Sequence, residues 1–338
     1  MNNYKILSPT LRRSFGERLA ELEMLVGDWL EVERLEGRTL RLSRVFLSDA
    51  QNQESELEGS DLYRNILSAV PCSIVEQAPV DGSKISILLM TSDSPENFLF
   101  HSLRLTAEEC EGKDSYAQTA ALFGKYLDIL RKEGLDMKTH LVRTWIYVSA
   151  IDVNYAGVVK ARNDVFALEG LTADTHFIAS TGIGGATSCR PSCVAIDFIT
   201  YPDIKETDKQ YLQALDHLNP THEYGVAFER GTRLSLPSSD ILYISGTASI
   251  DRHGQVLYVG DVKKQTARLL ENIGVLLADG GATMNDIQYF IIYLRDISDY
   301  PAVEAMMSTI YPNIPRIIVH AKVCRPQWLI EMECVAVK

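Results

Sequence analysis

The feature of this sequence that most constrains its fold is an internal repeat. Three elements recur in the same order in both halves: a Gln-Thr pair within an amphipathic stretch, an apolar run containing Ile-Tyr, and the tripeptide Cys-Arg-Pro. They stand at 118–119, 145–148 and 189–191, and again at 265–266, 291–294 and 324–326. The Gln-Thr pairs are offset by 147 residues (265 minus 118). Such an ordered recurrence indicates duplication of a domain of about 120–140 residues, a typical domain size.

Apolar patterning predicts the elements of each copy. In the second copy, apolar residues recur at helical spacing over 261–279 before Gly280-Gly281, and two prolines end a second helix over 300–311. Runs rich in β-branched and aromatic residues predict strands at 240–250, 287–294, 316–323 and 328–337. The first copy has a matching helix over 116–130. We expect an α+β fold of two tandem domains, each a mixed, mostly antiparallel sheet with helices packed on one face.

The polar segment 202–210 interrupts the apolar pattern and predicts the domain boundary. Residues 1–205 then form a divergent N-terminal domain with an extra N-terminal segment, and residues 206–338 form the C-terminal domain that carries the candidate active site. The N-terminal segment reads as a helix over 15–32 and a strand over 40–47. We expect the C-terminal pocket to be completed by the first domain or by the linker.

The net charge and the hydropathy of the chain indicate which classes of partner it can bind. The 338 residues include 33 Lys and Arg against 45 Asp and Glu, a formal net charge of -12, which disfavours binding to a nucleic acid backbone. No run approaches the roughly 18 consecutive apolar residues of a membrane-spanning helix, and charges interrupt the N-terminal region where a signal peptide would be apolar. We therefore expect a cytoplasmic protein whose partner is a small molecule, acting as a monomer or a homo-oligomer.

Few common site motifs occur. The six cysteines form no Cys-x-x-Cys pair, so buried free thiols are a better interpretation than a zinc site. The glycine-rich residues 181–185 lack the strand, helix and third glycine of a dinucleotide-binding loop, which leaves a tight turn near the domain seam as the better interpretation. The sequence has no Walker motif, HExxH or GxSxG. We expect neither a metal nor an organic cofactor.

Two carboxylates near the C-terminus are the best candidates for chemistry. Glu331 and Glu333 alternate with apolar residues in a predicted strand, so both side chains point to one face. A solvated face is the ordinary interpretation of such a pattern. However, Arg316 and Arg325 flank the strand and Trp328 precedes it, and these residue types bind carboxylates or exclude water and raise a carboxyl pKa.

These motifs resemble those of Rid (YjgF-like) domains in order and spacing. The resemblance rests on Ile-Ser-Gly-Thr at 244–247, the Gln-Thr helix, Tyr-Leu-Arg-Asp at 293–296, Pro-Arg at 315–316 and Glu-Met-Glu at 331–333. The full length is similar to the chorismatases, two-domain members of this superfamily that remove the enolpyruvyl group of chorismate as pyruvate. Ordinary Rid proteins are short single domains that form trimers with sites between subunits, so the additional N-terminal copy favours the chorismatase resemblance.

The resemblance implies a set of site residues. Glu331 corresponds to the catalytic glutamate, a carboxylic acid that burial keeps protonated so that it can protonate the terminal methylene carbon. Glu333 is the alternative. The family's substrate-binding arginine corresponds to Arg316. The remaining substrate-binding candidates are Arg230, Tyr224, Cys324, Gly246 and Thr247. A cysteine seven residues before the glutamate accompanies the branch that forms 3-hydroxybenzoate rather than a dihydroxycyclohexadiene acid, and Cys324 has that spacing.

Two other functions are compatible with the same residues. A Rid-type enamine or imine deaminase would use the arginine and the glutamate to bind a carboxylate and to position water, but it would not need the N-terminal half. A non-catalytic protein that binds small metabolites would keep the pocket and have no turnover.

Overall fold

The computed structural model describes residues 2–10, 13–93, 97–221 and 225–338. The strands in these ranges are β1 (Asn2–Leu7), β2 (Thr39–Leu47), β3 (Cys72–Glu76), β4 (Ala78–Pro79), β5 (Ile85–Ser92), β6 (Leu99–Leu103), β7 (Leu141–Val148), β8 (Ala179–Gly184), β9 (Val194–Thr200), β10 (Lys209–Tyr211), β11 (Gly231–Ser235), β12 (Asp240–Thr247), β13 (Ile287–Leu294), β14 (Arg316–His320) and β15 (Ile330–Val337). The α-helices are α1 (Phe15–Leu35), α2 (Ala50–Glu58), α3 (Asp61–Asn65), α4 (Ala107–Cys110), α5 (Ser115–Glu133), α6 (Met137–His140), α7 (Ile151–Leu168), α8 (Val262–Asp279) and α9 (Tyr300–Ile310).

Three blocks of four strands have the same order and the same strand directions. The orders are β1-β5-β2-β3, β6-β9-β7-β8 and β12-β15-β13-β14, and the third block is extended to seven strands by β10, β11 and β4. In each block the first three strands are antiparallel neighbours and the last pair is parallel. We call these units repeat 1 (2–92), repeat 2 (99–200) and repeat 3 (240–337).

The predicted α+β class is confirmed, and the two copies found in the sequence are repeats 2 and 3. Repeat 1 has the same strand order but was not detected, because it contains neither Gln-Thr nor Cys-Arg-Pro at the matching places. We retain the boundary near residue 205 as a proposal, since residues 201–208 connect β9 to β10. Residues 1–205 then contain two repeats.

Helices cover the outer faces of the sheets, and the inner faces meet one another. Helix α8 shows how the sequence directs this: Asp261 caps its N-terminus by accepting from the Lys264 N–H, and its apolar positions recur on one stripe. On the inner side, Phe46 of repeat 1, Tyr147 of repeat 2 and Tyr293 of repeat 3 are fully buried in one shared core. The three repeats therefore form a single packed body.

The repeated Gln-Thr and Cys-Arg-Pro motifs are linked physically. In repeat 3, the Gln265 amide donates to the Gln327 carbonyl (2.9 Å) and accepts from the Leu329 N–H (2.9 Å). In repeat 2, Gln118 makes the two equivalent hydrogen bonds, at 3.1 and 2.7 Å. Each glutamine thus fixes the loop that contains Cys-Arg-Pro to the first long helix of its repeat.

Candidate active site

A cavity of about 620 Å³ lies between repeats 2 and 3. Its walls come from α7 and β8 of repeat 2, from the segment 225–230 that leads into β11, and from the end of β12 and residues 324–331 of repeat 3. A volume of this size suits a small-molecule ligand. The site is therefore built by both repeats and by the segment that connects them.

Glu331 is the carboxyl group in the wall of this cavity. It lies on β15 and is only 4% exposed. Burial and, to a smaller extent, the nearby Glu333 raise the pKa of Glu331 to about 8, against the opposing effect of Arg143 and Arg230. A carboxyl group with this pKa is mostly protonated at neutral pH, so Glu331 has a proton to donate.

Gly246 allows the backbone of β12 to pass directly beside this acid. A methyl group at position 246 would overlap Glu331 Oε1 and would lie 3.0 Å from Thr181 Cγ2. The Gly246 N–H donates to Thr181 Oγ1 at 2.9 Å. The close approach therefore requires glycine at this position.

Glu333 faces the shared core and does not line the cavity. Its carboxylate accepts hydrogen bonds from Arg143 Nη2 (2.8 Å) and Trp145 Nε1 (2.6 Å), and Arg44 Nη1 lies 3.6 Å away. These three side chains come from repeats 1 and 2. The geometry therefore favours Glu331 over Glu333 as the carboxyl group that meets a ligand.

Cys324 and Tyr155 lie together in the cavity wall near Glu331. The Tyr155 hydroxyl lies beside the Cys324 thiol, so α7 of repeat 2 meets the loop of repeat 3 here. Burial and the neighbouring Glu331 raise the pKa of Cys324 to about 12, so the thiol is neutral. The Tyr155 ring packs against Gly182, where a β-carbon would come within 3.3 Å of the ring.

Cationic side chains line the same cavity. Arg162 on α7 is 3% exposed, and Arg230 in the connecting segment donates to the Asn219 carbonyl (3.0 Å). The Arg325 guanidinium lies 4.8 Å from the centre of the Trp328 ring. In a chain of net charge -12, these arginines give the cavity local charges that suit a carboxylate ligand.

The structure brings together some of the residues predicted from the sequence. Glu331, Cys324, Arg230 and Gly246 all line the cavity. Thr247 does not, because its buried hydroxyl donates to the Ser245 carbonyl (2.9 Å). Tyr224 lies outside the described residues.

Arg316 lies away from the cavity. Arg316 begins β14, and its guanidinium Nε donates to Glu304 Oε2 (3.1 Å). Strand β14 pairs with β4 of repeat 1, so Arg316 lies towards the seam between repeats 3 and 1. It is not among the residues that line the cavity.

Strand register explains this displacement. Arg316 pairs with Phe290 on β13, and the residue at the equivalent place in repeat 2 is Ser180, which pairs with Thr144 on β7. Ser180 does line the cavity. The site therefore combines β8 of one repeat with β15 of the next, and the serine of repeat 2 occupies the position that the arginine has in repeat 3.

Arg162 and Tyr155 were missed by sequence reasoning. Both lie on α7, a helix that was not predicted from the sequence. A signal for Arg162 was present, because it falls at helical spacing between the buried Val158 and Phe166. A charged residue within an apolar stripe indicates a buried polar contact or a site.

The remaining sequence predictions concern cofactors, the glycine-rich segment and membranes. Within the described residues, no group of three or more His, Cys, Asp or Glu side chains is placed to hold a metal ion. The glycine-rich residues 181–185 do not form the expected tight turn, because they belong mostly to β8. The Gly184 N–H donates to the Lys322 carbonyl (2.9 Å), which links repeat 2 to repeat 3. No helix in the described ranges is long and apolar enough to cross a membrane.

Comparison with known proteins places the chain in a family. The family described as Endoribonuclease L-PSP matches residues 227–338. The 3-aminoacrylate deaminase RutC of Acinetobacter baylyi is 34% identical over 101 residues, which is 29% of this chain and 80% of that protein. The crystal structure of a chorismatase matches 99% of this chain and 98% of its own, with a TM-score of 0.69 and 19% identity. The chain therefore belongs to the Rid (YjgF/L-PSP) superfamily and has the fold of a chorismatase.

Proposed function

We propose that this protein cleaves the enolpyruvyl ether of chorismate by general acid catalysis and releases pyruvate. The observation that carries the proposal is Glu331, a buried carboxyl group whose pKa is about 8, in the wall of a cavity lined by arginines. The chorismatase fold supports the same conclusion. Chorismate is a dianion, and Arg162 and Arg230 are the residues that we assign to its carboxylates.

The chemistry needs a proton donor at carbon. Glu331 transfers its proton to the terminal methylene carbon of the enol ether, which becomes a methyl group and leaves an oxocarbenium centre. Capture by an oxygen and collapse of the adduct then break the bond between the ether oxygen and the former enol carbon, giving pyruvate. General acid catalysis of this kind typically contributes about 10²–10⁴-fold to the rate.

The oxygen that captures the oxocarbenium centre determines the ring product. Capture by water gives pyruvate and a dihydroxycyclohexadiene carboxylate, with one water consumed. Capture by the neighbouring ring hydroxyl forms a cyclic ketal. After the bond between the ether oxygen and the ketal carbon breaks, the bond between the ring carbon and the captured oxygen also breaks, so that this oxygen leaves as the ketone oxygen of pyruvate. Loss of the proton from the adjacent ring carbon, which balances the proton supplied by Glu331, then gives 3-hydroxybenzoate with no net water consumed. We favour the second route, because Tyr155 and Cys324 lie together beside Glu331 and leave less room there for a water molecule.

A deaminase is the second candidate, and the similarity to 3-aminoacrylate deaminase RutC supports it. An enamine, like an enol ether, is activated by protonation at carbon, so Glu331 could serve either substrate. The products differ, since an enamine releases ammonia and chorismate releases pyruvate without ammonia.

The two candidates are separated by offering both substrates to the purified protein. We expect pyruvate from chorismate, detected with lactate dehydrogenase, and mass spectrometry identifies the ring product. Glu331→Gln keeps the side-chain volume and removes the transferable proton, and Glu108→Gln on the exposed face of α4 is the matched control. Ammonia from an enamine together with unchanged chorismate would instead establish the deaminase.

A further inference from the structure

The two carboxyl groups of β15 have very different surroundings, although they lie two residues apart on one face of the strand. Glu331 lies in the cavity wall. Glu333 is 2% exposed. It accepts hydrogen bonds from Arg143 and Trp145 of repeat 2 and forms an ion pair with Arg44 of repeat 1 at 3.6 Å. The mechanism uses only the first, so the role of the second needs an explanation.

The cation that binds Glu333 also reaches towards Glu331. Arg143 Nη2 donates to Thr181 Oγ1 at 2.5 Å as well as to Glu333. Thr181 Oγ1 in turn accepts the N–H of Gly246, which lies against Glu331 Oε1. The Thr181 side chain therefore lies between the Arg143 guanidinium and Gly246, the residue that lies against Glu331.

Charged and titratable groups around Glu331 come from five segments of the chain, and Arg162 of α7 and Arg325 of the loop before β15 line the same cavity. Glu333 lies on the same strand, Arg143 on β7, Arg230 in the connecting segment, Tyr155 on α7, and Cys324 in the loop before β15. Both arginines favour ionisation of Glu331, and the Glu333 carboxylate opposes it. Without Glu333, Arg143 would lose the carboxylate that it binds, and its charge would act on Glu331 with no opposing charge from Glu333.

We propose that Glu333 is a positioning residue: by binding Arg143 it prevents that cation from pairing with Glu331, so that Glu331 keeps the proton it donates. This proposal depends on the proposed function in one respect: the proposed reaction is what consumes the proton of Glu331. The effect on the protonation of Glu331 is a property of the free protein and can be measured without a substrate.

Repeat 2 supplies a matched control. Asp197 occupies the place of Glu333 by register, pairing with Trp145 as Glu333 pairs with Ile291. It is bound by Arg104 (2.9 Å), as Glu333 is by Arg143. The place of Glu331 in that repeat is taken by Ala195. Asp197→Asn therefore breaks the corresponding ion pair at a place where an alanine stands at the register position of Glu331.

The test is an infrared titration of the free protein. The carbonyl stretch of a protonated carboxyl group should be present at pH 7 in the wild type and in Asp197→Asn, and absent in Glu331→Gln, which assigns the band. In Glu333→Gln it should be lost at pH 7 and recovered at lower pH. If the pKa of Glu331 falls from about 8 to about 6, one unit below the pH of the measurement, the protonated fraction at pH 7 decreases about tenfold. Glu333→Asp should restore the band.

A second variant should shift the midpoint of the Glu331 band in the opposite direction. It tests the proposal even if Glu333→Gln does not fold. Arg143→Met removes the cation, so the midpoint of the Glu331 band should move to higher pH. A band unchanged in Glu333→Gln, or a midpoint that fails to rise in Arg143→Met, would overturn the proposal. Absence of pyruvate from chorismate, with the band behaving as described, would overturn the proposed function alone.

Discussion

Substitution of Gly246 by alanine tests the geometry of the site with a single methyl group. The added β-carbon would overlap Glu331 Oε1 and press on Thr181, so the acid must move or β12 must shift. Overpacking of this kind typically costs about 1–3 kcal/mol of stability, and a displacement of about 1 Å in a reacting group can cost about 10²-fold in rate. We therefore expect a folded variant that has lost about 10²-fold in turnover.

The assay is the initial rate of pyruvate release from chorismate, with thermal unfolding of the same samples. Gly274→Ala in α8 is the matched control, because its added methyl group would meet only Met284 Sδ at 3.9 Å. Alanine is also the better helix former by about 1 kcal/mol, so this control should be as stable as the wild type or more stable, with normal turnover. Near-normal turnover in Gly246→Ala would refute the placement of the acid beside Gly246.

Five further results are expected. Glu331→Gln should lose about 10²–10⁴-fold in turnover while calorimetric titration still detects chorismate binding. Wild-type turnover should fall as pH rises through about 8, because Glu331 donates only when protonated. The same raised pKa should make the folded protein lose stability as pH rises from 4.5 towards 8, and chemical unfolding of Glu331→Gln should lack that loss. Arg162→Gln and Arg230→Gln should each raise KM by about 10–100-fold through loss of a charge-assisted hydrogen bond, whereas unchanged KM would exclude them as carboxylate ligands. Arg316→Ala should leave turnover unchanged and cost about 1 kcal/mol or less in thermal unfolding, and a large rise in its KM would return Arg316 to the site.

The parts of the fold that could be predicted from the sequence were those in which a repeated residue makes the same contact in each repeat. The match of Gln118 with Gln265 survived duplication because each amide fixes its own Cys-Arg-Pro loop through two hydrogen bonds. Repeat 1 contains neither the Gln-Thr pair nor Cys-Arg-Pro at the matching places. Its similarity to the other two repeats is therefore seen in the order of its strands and not in these motifs.

The site was harder to predict because it lies between repeats. Glu331, Cys324 and Gly246 could be found, since they belong to one repeat and to motifs with a recognisable spacing. Arg316 belongs to a motif of the same repeat, but its strand faces the opposite seam, and strand order decides this rather than spacing. Arg162 comes from the neighbouring repeat, and no local pattern indicates which repeats will be adjacent.

The measurement that tests the central claim most directly is the product balance from chorismate. The purified wild-type protein should release one pyruvate for each chorismate consumed, together with an equal amount of 3-hydroxybenzoate, while Glu331→Gln should leave chorismate unconverted over the same time. Equal rates in the two proteins would contradict the role of Glu331. Chorismate that stays intact with the folded wild-type protein would contradict the proposed function itself.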